Sequence, residues 1–112
     1  MKVPDAIKGR WRITWMEQWA LDAIDLLGPA FIEFDEKGGG EFTFICVVGS
    51  MQCAYAVHDG LPSVDFTWDG ADEMDPASGD GSAEVMPDGT LAGHITIHDG
   101  DESDFVAKRL AR

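Results

Sequence analysis

Glu41-Phe42-Thr43-Phe44-Ile45-Cys46-Val47-Val48, then Gly49-Ser50, then Met51-Gln52-Cys53-Ala54-Tyr55-Ala56-Val57-His58 is the stretch whose reading decides the fold. Two runs alternate with period 2 around a Gly-Ser dipeptide, the pattern of a β-hairpin, because glycine at the first central position supplies the positive φ of a type II′ turn. Such a turn sets Val48 opposite Met51, Cys46 opposite Cys53, Phe44 opposite Tyr55 and Phe42 opposite Val57, all on one inward face. The other face carries Glu41, Thr43, Ile45, Val47, Gln52, Ala54, Ala56 and His58, which are smaller and more polar. One face is core and the other mostly solvated, as in an antiparallel sheet with a single buried side.

On the N-terminal side, Lys2 to Lys8 with Pro4 reads as a lead-in. Gly9 to Met16 then alternates strictly, with Trp11, Ile13 and Trp15 on one face. From Glu17 to Leu27 the apolar residues switch to i, i+3 and i+4 spacing until Gly28-Pro29, which predicts a short helix too small to stand alone. Its apolar side needs a support, and the open end of a barrel offers one. Ala30 to Asp35 reads as the second strand, with Ala30, Ile32 and Phe34 inward, and Glu36 to Gly40 as a permissive turn.

On the C-terminal side, Asp59-Gly60-Leu61-Pro62 turns the chain into a strand from Ser63 to Trp68, with Val64, Phe66 and Trp68 on one face. Asp69 to Gly81 reads as a long acidic loop. Strands follow over Ser82 to Met86, Thr90 to His98 and Glu102 to Leu110, joined at Pro87-Asp88-Gly89 and Asp99-Gly100. Eight short strands joined by tight turns predict an all-β fold, an antiparallel up-and-down barrel with one helical interruption between strands 1 and 2; an open sandwich is the alternative. Closure imposes a parity. If Trp11 neighbours Arg109, Ile13 meets Ala107 and Trp15 meets Phe105, and every inward residue stays inward. At 112 residues the chain is expected to form a single domain over 1–112.

Eight Lys and Arg against 21 Asp and Glu give a formal charge of -13 and a pI near 4.2, a field that repels nucleic acid and anionic membranes. No apolar run reaches the ~20 residues of a transmembrane helix, and Met1 to Arg10 has no apolar leader, so the cytoplasm is the expected location. Two cysteines do not make a disulfide framework, although the hairpin register brings Cys46 across from Cys53.

Gly9-x-Trp11 at the start of the first strand and Arg109 at the end of the last resemble the signature of the calycin superfamily, the lipocalins and their relatives. The resemblance implies that Trp11 closes one end of the barrel with Arg109 packed over it. It also implies that Glu17 to Leu27 lies near the lid position of fatty-acid-binding proteins. The overall pattern is similar to short bacterial lipocalin-like domains of unassigned activity. Lipocalins are longer and usually secreted; the shorter strands here leave less interior, so their ligand cavity is not carried over with the fold.

The inward aromatics Trp15, Phe34, Phe44, Tyr55, Phe66, Trp68 and Phe105 either line a pocket for a small hydrophobic or amphipathic molecule or fill the barrel. In the receptor reading Leu21, Ile24 and Leu27 gate access as a lid. In the other reading the chain is an acidic module that recognises a protein or assembles with itself through Phe31, Ile45, Val47 and Val106. Arg10, Arg12, Lys108 and Arg112 gather if the terminal strands pair, where they satisfy neighbouring carboxylates or take an anion. The acidic segment from Asp69 does not match a calcium loop, since Met74 stands where glycine is required. His94 and His98, four residues apart on a strand, cannot share one metal. His98, Asp101 and Ser103 are close in sequence but lack the makings of a triad. No metal, cofactor or enzymatic activity is expected.

Overall fold

The computed structural model describes residues 4–110. Its strands are β1 (Gly9–Met16), β2 (Phe31–Phe34), β3 (Gly39–Phe44), β4 (Val47–His58), β5 (Leu61–Asp72), β6 (Asp75–Val85), β7 (Leu91–Ile97) and β8 (Glu102–Arg109). The four-residue helix α1 (Leu21–Ile24) lies between β1 and β2. Every neighbouring pair is antiparallel, and β1 pairs with β8, so the sheet closes into an eight-stranded up-and-down barrel.

Closure follows the expected parity at one end only. Trp11 pairs with Arg109 and Ile13 with Ala107, after which a bulge at Thr14 sets Trp15 opposite Val106 and Met16 opposite Phe105. A bulge adds one residue and turns over the alternation beyond it. Trp15 is therefore 49% exposed, while Met16 takes the inward place expected of it.

The opening hairpin also differs from its sequence reading. The turn lies at Ile45-Cys46, with Phe44 opposite Val47 and Phe42 opposite Gly49. Cys46 sits in the turn and Cys53 pairs with Phe66, so the two thiols are separate and free. Val47 is buried, whereas Val48 and Val57 face solvent. Packing explains the change. A Cβ on Gly49 would stand 2.5 Å from the Phe42 ring and 2.9 Å from Trp68, so this glycine makes room for two aromatic rings inside the barrel. Ile45 takes the positive φ of the turn instead, at 54°, an unfavourable conformation for a β-branched residue.

The segment read as an acidic loop is strand. β5 runs on to Asp72, turns at Glu73-Met74 and returns as β6, with Asp72 opposite Asp75 and Thr67 opposite Asp80. Both turn residues have positive φ, 51° and 81°, without glycine or asparagine to ease it. The Asp59-Gly60 turn between β4 and β5 is the favoured kind.

Large and small residues alternate around the interior. β6 presents Ala77, Gly79, Gly81 and Ala83, and a Cβ on Gly81 would meet the Phe66 ring at 2.4 Å, one on Gly93 the Phe105 ring at 2.6 Å. Phe42 stacks on Phe44 at 5.7 Å and meets Trp68 edge-on at 5.0 Å, contacts worth about 0.5–1.5 kcal/mol each beyond the area they bury.

Candidate functional site

At the lower end of the barrel, residues 4–8 form a turn whose Ile7 is buried under the sheet. Trp11 Nε1 donates to the Ile7 carbonyl at 2.8 Å, and the Arg109 guanidinium lies 4.4 Å from the Trp11 ring centroid. Arg109 also donates to the carbonyls of Lys8 (2.6 Å), Asp5 (3.3 Å) and Ala6. Gly9 adopts φ 116°, and a Cβ there would stand 3.0 Å from the Arg109 guanidinium. Gly9, Trp11 and Arg109 thus form one interlocked closure, as the sequence reading expects.

The interior brings together Phe34, Phe44, Phe66, Trp68 and Phe105. Each leaves no more than 3% of its surface accessible to water, so these rings occupy most of the interior they face. Tyr55 also points inward, with its ring edge-on to Phe34 at 6.5 Å. Its hydroxyl is buried without a hydrogen-bond partner of normal geometry, an arrangement that ordinarily costs about 1–3 kcal/mol. Burial, then the neighbouring Cys53 and Asp35, push the Tyr55 pKa upward; burial pushes the Cys53 thiol to about 11. Trp15 does not belong to this set.

The upper end is covered by residues 17–29, and only part of this segment is helical. Trp19 packs on Phe44 at 5.6 Å, Ile24 is buried, and its carbonyl accepts the Ile45 N–H at 2.8 Å. Leu21 and Leu27 face solvent, so of the three lid residues only Ile24 reaches the barrel. Arg12 anchors the segment to β1 through paired bonds to Asp25 (2.8 and 2.5 Å), whose carboxylate also accepts the Ala30 N–H at 3.0 Å. These bonds, the Arg12 contact first, hold the Asp25 carboxyl below its ordinary pKa.

The four residues proposed as a self-association patch are not together. Val47 is in the core, Ile45 packs partly against it from the turn, Phe31 lies beneath Arg10 at 4.0 Å, and Val106 pairs with Ala92 and Trp15. Of the expected basic cluster, Arg12 stands beside Lys108, and Arg10 bonds Glu33 at 2.7 Å; Arg112 lies outside the described residues. Ser103 is buried and structural, accepting the Gln18 N–H and donating to the Asp104 carbonyl.

The largest organised feature of the surface was not anticipated. Residues 38–107 contain 14 Asp and Glu and not one Lys or Arg. On the barrel that run becomes one face free of Lys and Arg, with carboxylates on β5 (Asp65, Asp69, Asp72), β6 (Asp75, Asp80, Glu84) and β8 (Glu102, Asp104) and none on β4 or β7. Ala54, Asp65, Ser82, His94 and Asp104 form one outward row across five strands; Gln52, Thr67, Asp80 and Thr96 form the next. The two rows border a shallow depression of about 680 Å³ lined by Asp65, Asp80, Gln52, Thr67, Ser82 and His94. Its histidine is partnered by acids: His94 Nδ1 lies 2.6 Å from Asp104 and Nε2 lies 3.3 Å from Glu102. The bond to Asp104 raises the His94 pKa against the opposing effect of burial. The absence of cations from these 70 positions was the readable signal.

The fold and its surface define a closed antiparallel barrel with an aromatic-rich interior and one face free of Lys and Arg. No protein-family model matches the chain, and no curated protein is significantly similar to it in sequence. Among the described residues no helix is long and apolar enough to cross a membrane, and no group of three or more His, Cys, Asp or Glu is placed to hold a metal ion.

Proposed function

We propose that this chain is a non-enzymatic interaction module whose β4–β8 wall recognises a basic protein surface. The observation that carries this reading is the absence of any Lys or Arg over residues 38–107 beside carboxylates concentrated on the adjacent strands β5 and β6 and on β8. Such a wall steers a cationic partner by its field and selects it by charge pattern. The rigid, filled interior supports the reading by holding those carboxylates in a fixed register.

A lysine-rich peptide titrated by calorimetry at several salt concentrations tests it, with a charge-matched control. Asp65→Asn/Asp80→Asn is expected to weaken binding about tenfold, Asp22→Asn/Glu36→Gln far less, and the affinity of the parent to fall steeply with salt. Equal losses in the two variants would reduce the effect to net charge and overturn the reading.

A second reading, a receptor for a small hydrophobic or amphipathic molecule at one mouth, is favoured by the inward Tyr55 hydroxyl, which is buried without a hydrogen-bond partner and offers a bound molecule one. The Arg109–Trp11 stack supports the associated kinship with calycins. Tryptophan fluorescence titrated with alkyl and aromatic probes tests it: saturable quenching lost in Tyr55→Phe supports the receptor, and an unresponsive spectrum removes it.

A further inference from the structure

β4 and β5 outrun the rest of the barrel at its lower end. β3 pairs with β4 only as far as Gln52, and the last bond on that side runs from the Cys53 N–H to the Gly38 carbonyl at 2.8 Å. β5 follows β4 further, to the His58–Leu61 pair. In an antiparallel ladder the N–H and C=O of one residue point to the same side, and the side alternates along the strand. Cys53 turns toward β3, so Tyr55 and Val57 present their N–H and C=O groups on that side too; Pro62 opposite Val57, with no N–H to give, fits this parity. Among the described residues no strand lies beside them there. Ala54, Ala56 and His58 are exposed, and Val57 is 67% exposed.

The overhang at the upper end is protected where this one is open. β6 runs past the last β7 partner at Ser78, whose carbonyl accepts the His98 N–H, and Pro76 stands where the next N–H on that side belongs. Proline and charge are the usual devices that keep a strand edge from pairing. The β4 edge has neither: Phe42 to His58 is the longest stretch of the chain without Asp, Glu, Lys or Arg, in a protein of formal charge -13.

Self-complementarity selects the occupant. Turned antiparallel about Ala56, a second β4 edge sets Tyr55 opposite Val57 in both directions, so each free donor meets a free acceptor, and sets Ala56 opposite its own equivalent. That central pair is of the close, non-hydrogen-bonded kind, which the small outward methyl of Ala56 admits. On the inner side each Val57 comes against the ring of the other copy's Tyr55, an aromatic and β-branched pair. The same register carries Asp59 of each copy to the other's turn between β2 and β3. There Glu36 is held by Lys8 and Asp35 by the N–H groups of Lys37 and Gly39, while Lys37 is exposed and has no ion pair among the described residues. We propose that two copies of this chain pair through their β4 edges over residues 54–58, forming a two-fold dimer in which Tyr55 and Val57 of each copy exchange backbone hydrogen bonds with Val57 and Tyr55 of the other. The two edges saturate each other, so assembly stops at two chains. The outward carboxylates of β5, β6 and β8 stay free for a basic partner.

Sedimentation velocity of the full chain from micromolar to millimolar concentration tests it. The contact is small, so the parent is expected to pass from one-chain mass to two-chain mass toward the upper end of that range. Ala56→Asp and Ala56→Lys each set like charges face to face at the two-fold axis, on an exposed position of the monomer, and are expected to weaken the dimer at least about tenfold. Mixed in equal amounts, the two variants bring opposite charges together at the axis and restore a dimer as the heterodimer. Val57→Pro removes an N–H that the β4–β5 ladder does not use, and it is expected to weaken the dimer to a similar degree while the monomer unfolds near the parent's midpoint. A parent of one-chain mass at millimolar concentration leaves the edge to an extended segment of another protein and overturns the proposal. So does a mass beyond two chains, a dimer untouched by Ala56→Asp and Val57→Pro, or a mixture of the two Ala56 variants that stays monomeric.

Discussion

Replacing Gly49 with alanine measures how full the barrel is. The added Cβ has 2.5 and 2.6 Å to the Phe42 ring and 2.9 Å to Trp68, where ordinary contact begins near 3.4 Å, so both rings must retreat by several tenths of an ångström or more. Neither has open space to enter, since Phe42 is 1% and Trp68 3% exposed and the two already touch edge-on. Overpacking of this kind costs about 1–3 kcal/mol. For a domain of this size that lowers Tm by about 4–12 °C. The offending atoms are side chain and not backbone, so shortening the ring should restore room. Gly49→Ala combined with Phe42→Leu is therefore expected to be more stable than the sum of the single changes by at least about 1 kcal/mol. Urea and thermal unfolding followed by tryptophan fluorescence read all four members of the cycle, with Trp68 at the site as an internal reporter. A Gly49→Ala protein within about 0.5 kcal/mol of the parent, together with strict additivity, would mean that the rings move freely into empty space, and the account of a filled interior would fail.

Glu73→Asn/Met74→Gly supplies the residues favoured by a turn with two positive φ values and is expected to raise stability by roughly 1 kcal/mol or more, read as an increase of several degrees in Tm. His94 is raised in the folded state by Asp104, so its contribution is fully present below the unfolded value near 6.5 and is lost as pH rises through the folded value. With both partners largely exposed it amounts to less than about 1 kcal/mol, and His94→Asn should flatten the decline of Tm between mildly acidic and mildly alkaline pH. Asp25 has the opposite sign: its lowered pKa stabilises above the ordinary carboxylate value, and that stability is lost as pH falls through the folded value. Arg12→Met should cost about 1–2 kcal/mol at neutral pH and little in strong acid, measured by urea unfolding at the two extremes. Cys53, with its thiol near 11, should resist alkylation at neutral pH in the folded protein and react only on unfolding, as mass spectrometry of pulse-labelled samples would show.

The all-β class, the eight strands and the antiparallel closure were legible in the residues because each rests on alternation and turn chemistry, while the Gly9–Trp11–Arg109 lock was expected only from the resemblance of those residues to the calycin signature. What misled the reading was glycine. Gly49-Ser50 has the composition of a turn, but its glycine stands inside a strand to admit Phe42 and Trp68. Gly79 and Gly81 likewise gave Asp69 to Gly81 the look of a loop when they open β6 to Trp68 and Phe66. A missing side chain in one strand is explained only by a large one in another, and that pairing is absent from any local window.

Alternation and turn propensity act between neighbours in the chain, so the residues alone determined the number of strands and the hand-off from first to last. Charge content was equally plain, and so was the cation-free run from 38 to 107 once sought. Only the folded barrel decided which glycines serve turns and which serve rings, that a bulge at Thr14 turns Trp15 outward, and that the cation-free segments become one face. Those outcomes depend on volume and proximity between residues distant in sequence, quantities that exist only after the chain has closed on itself.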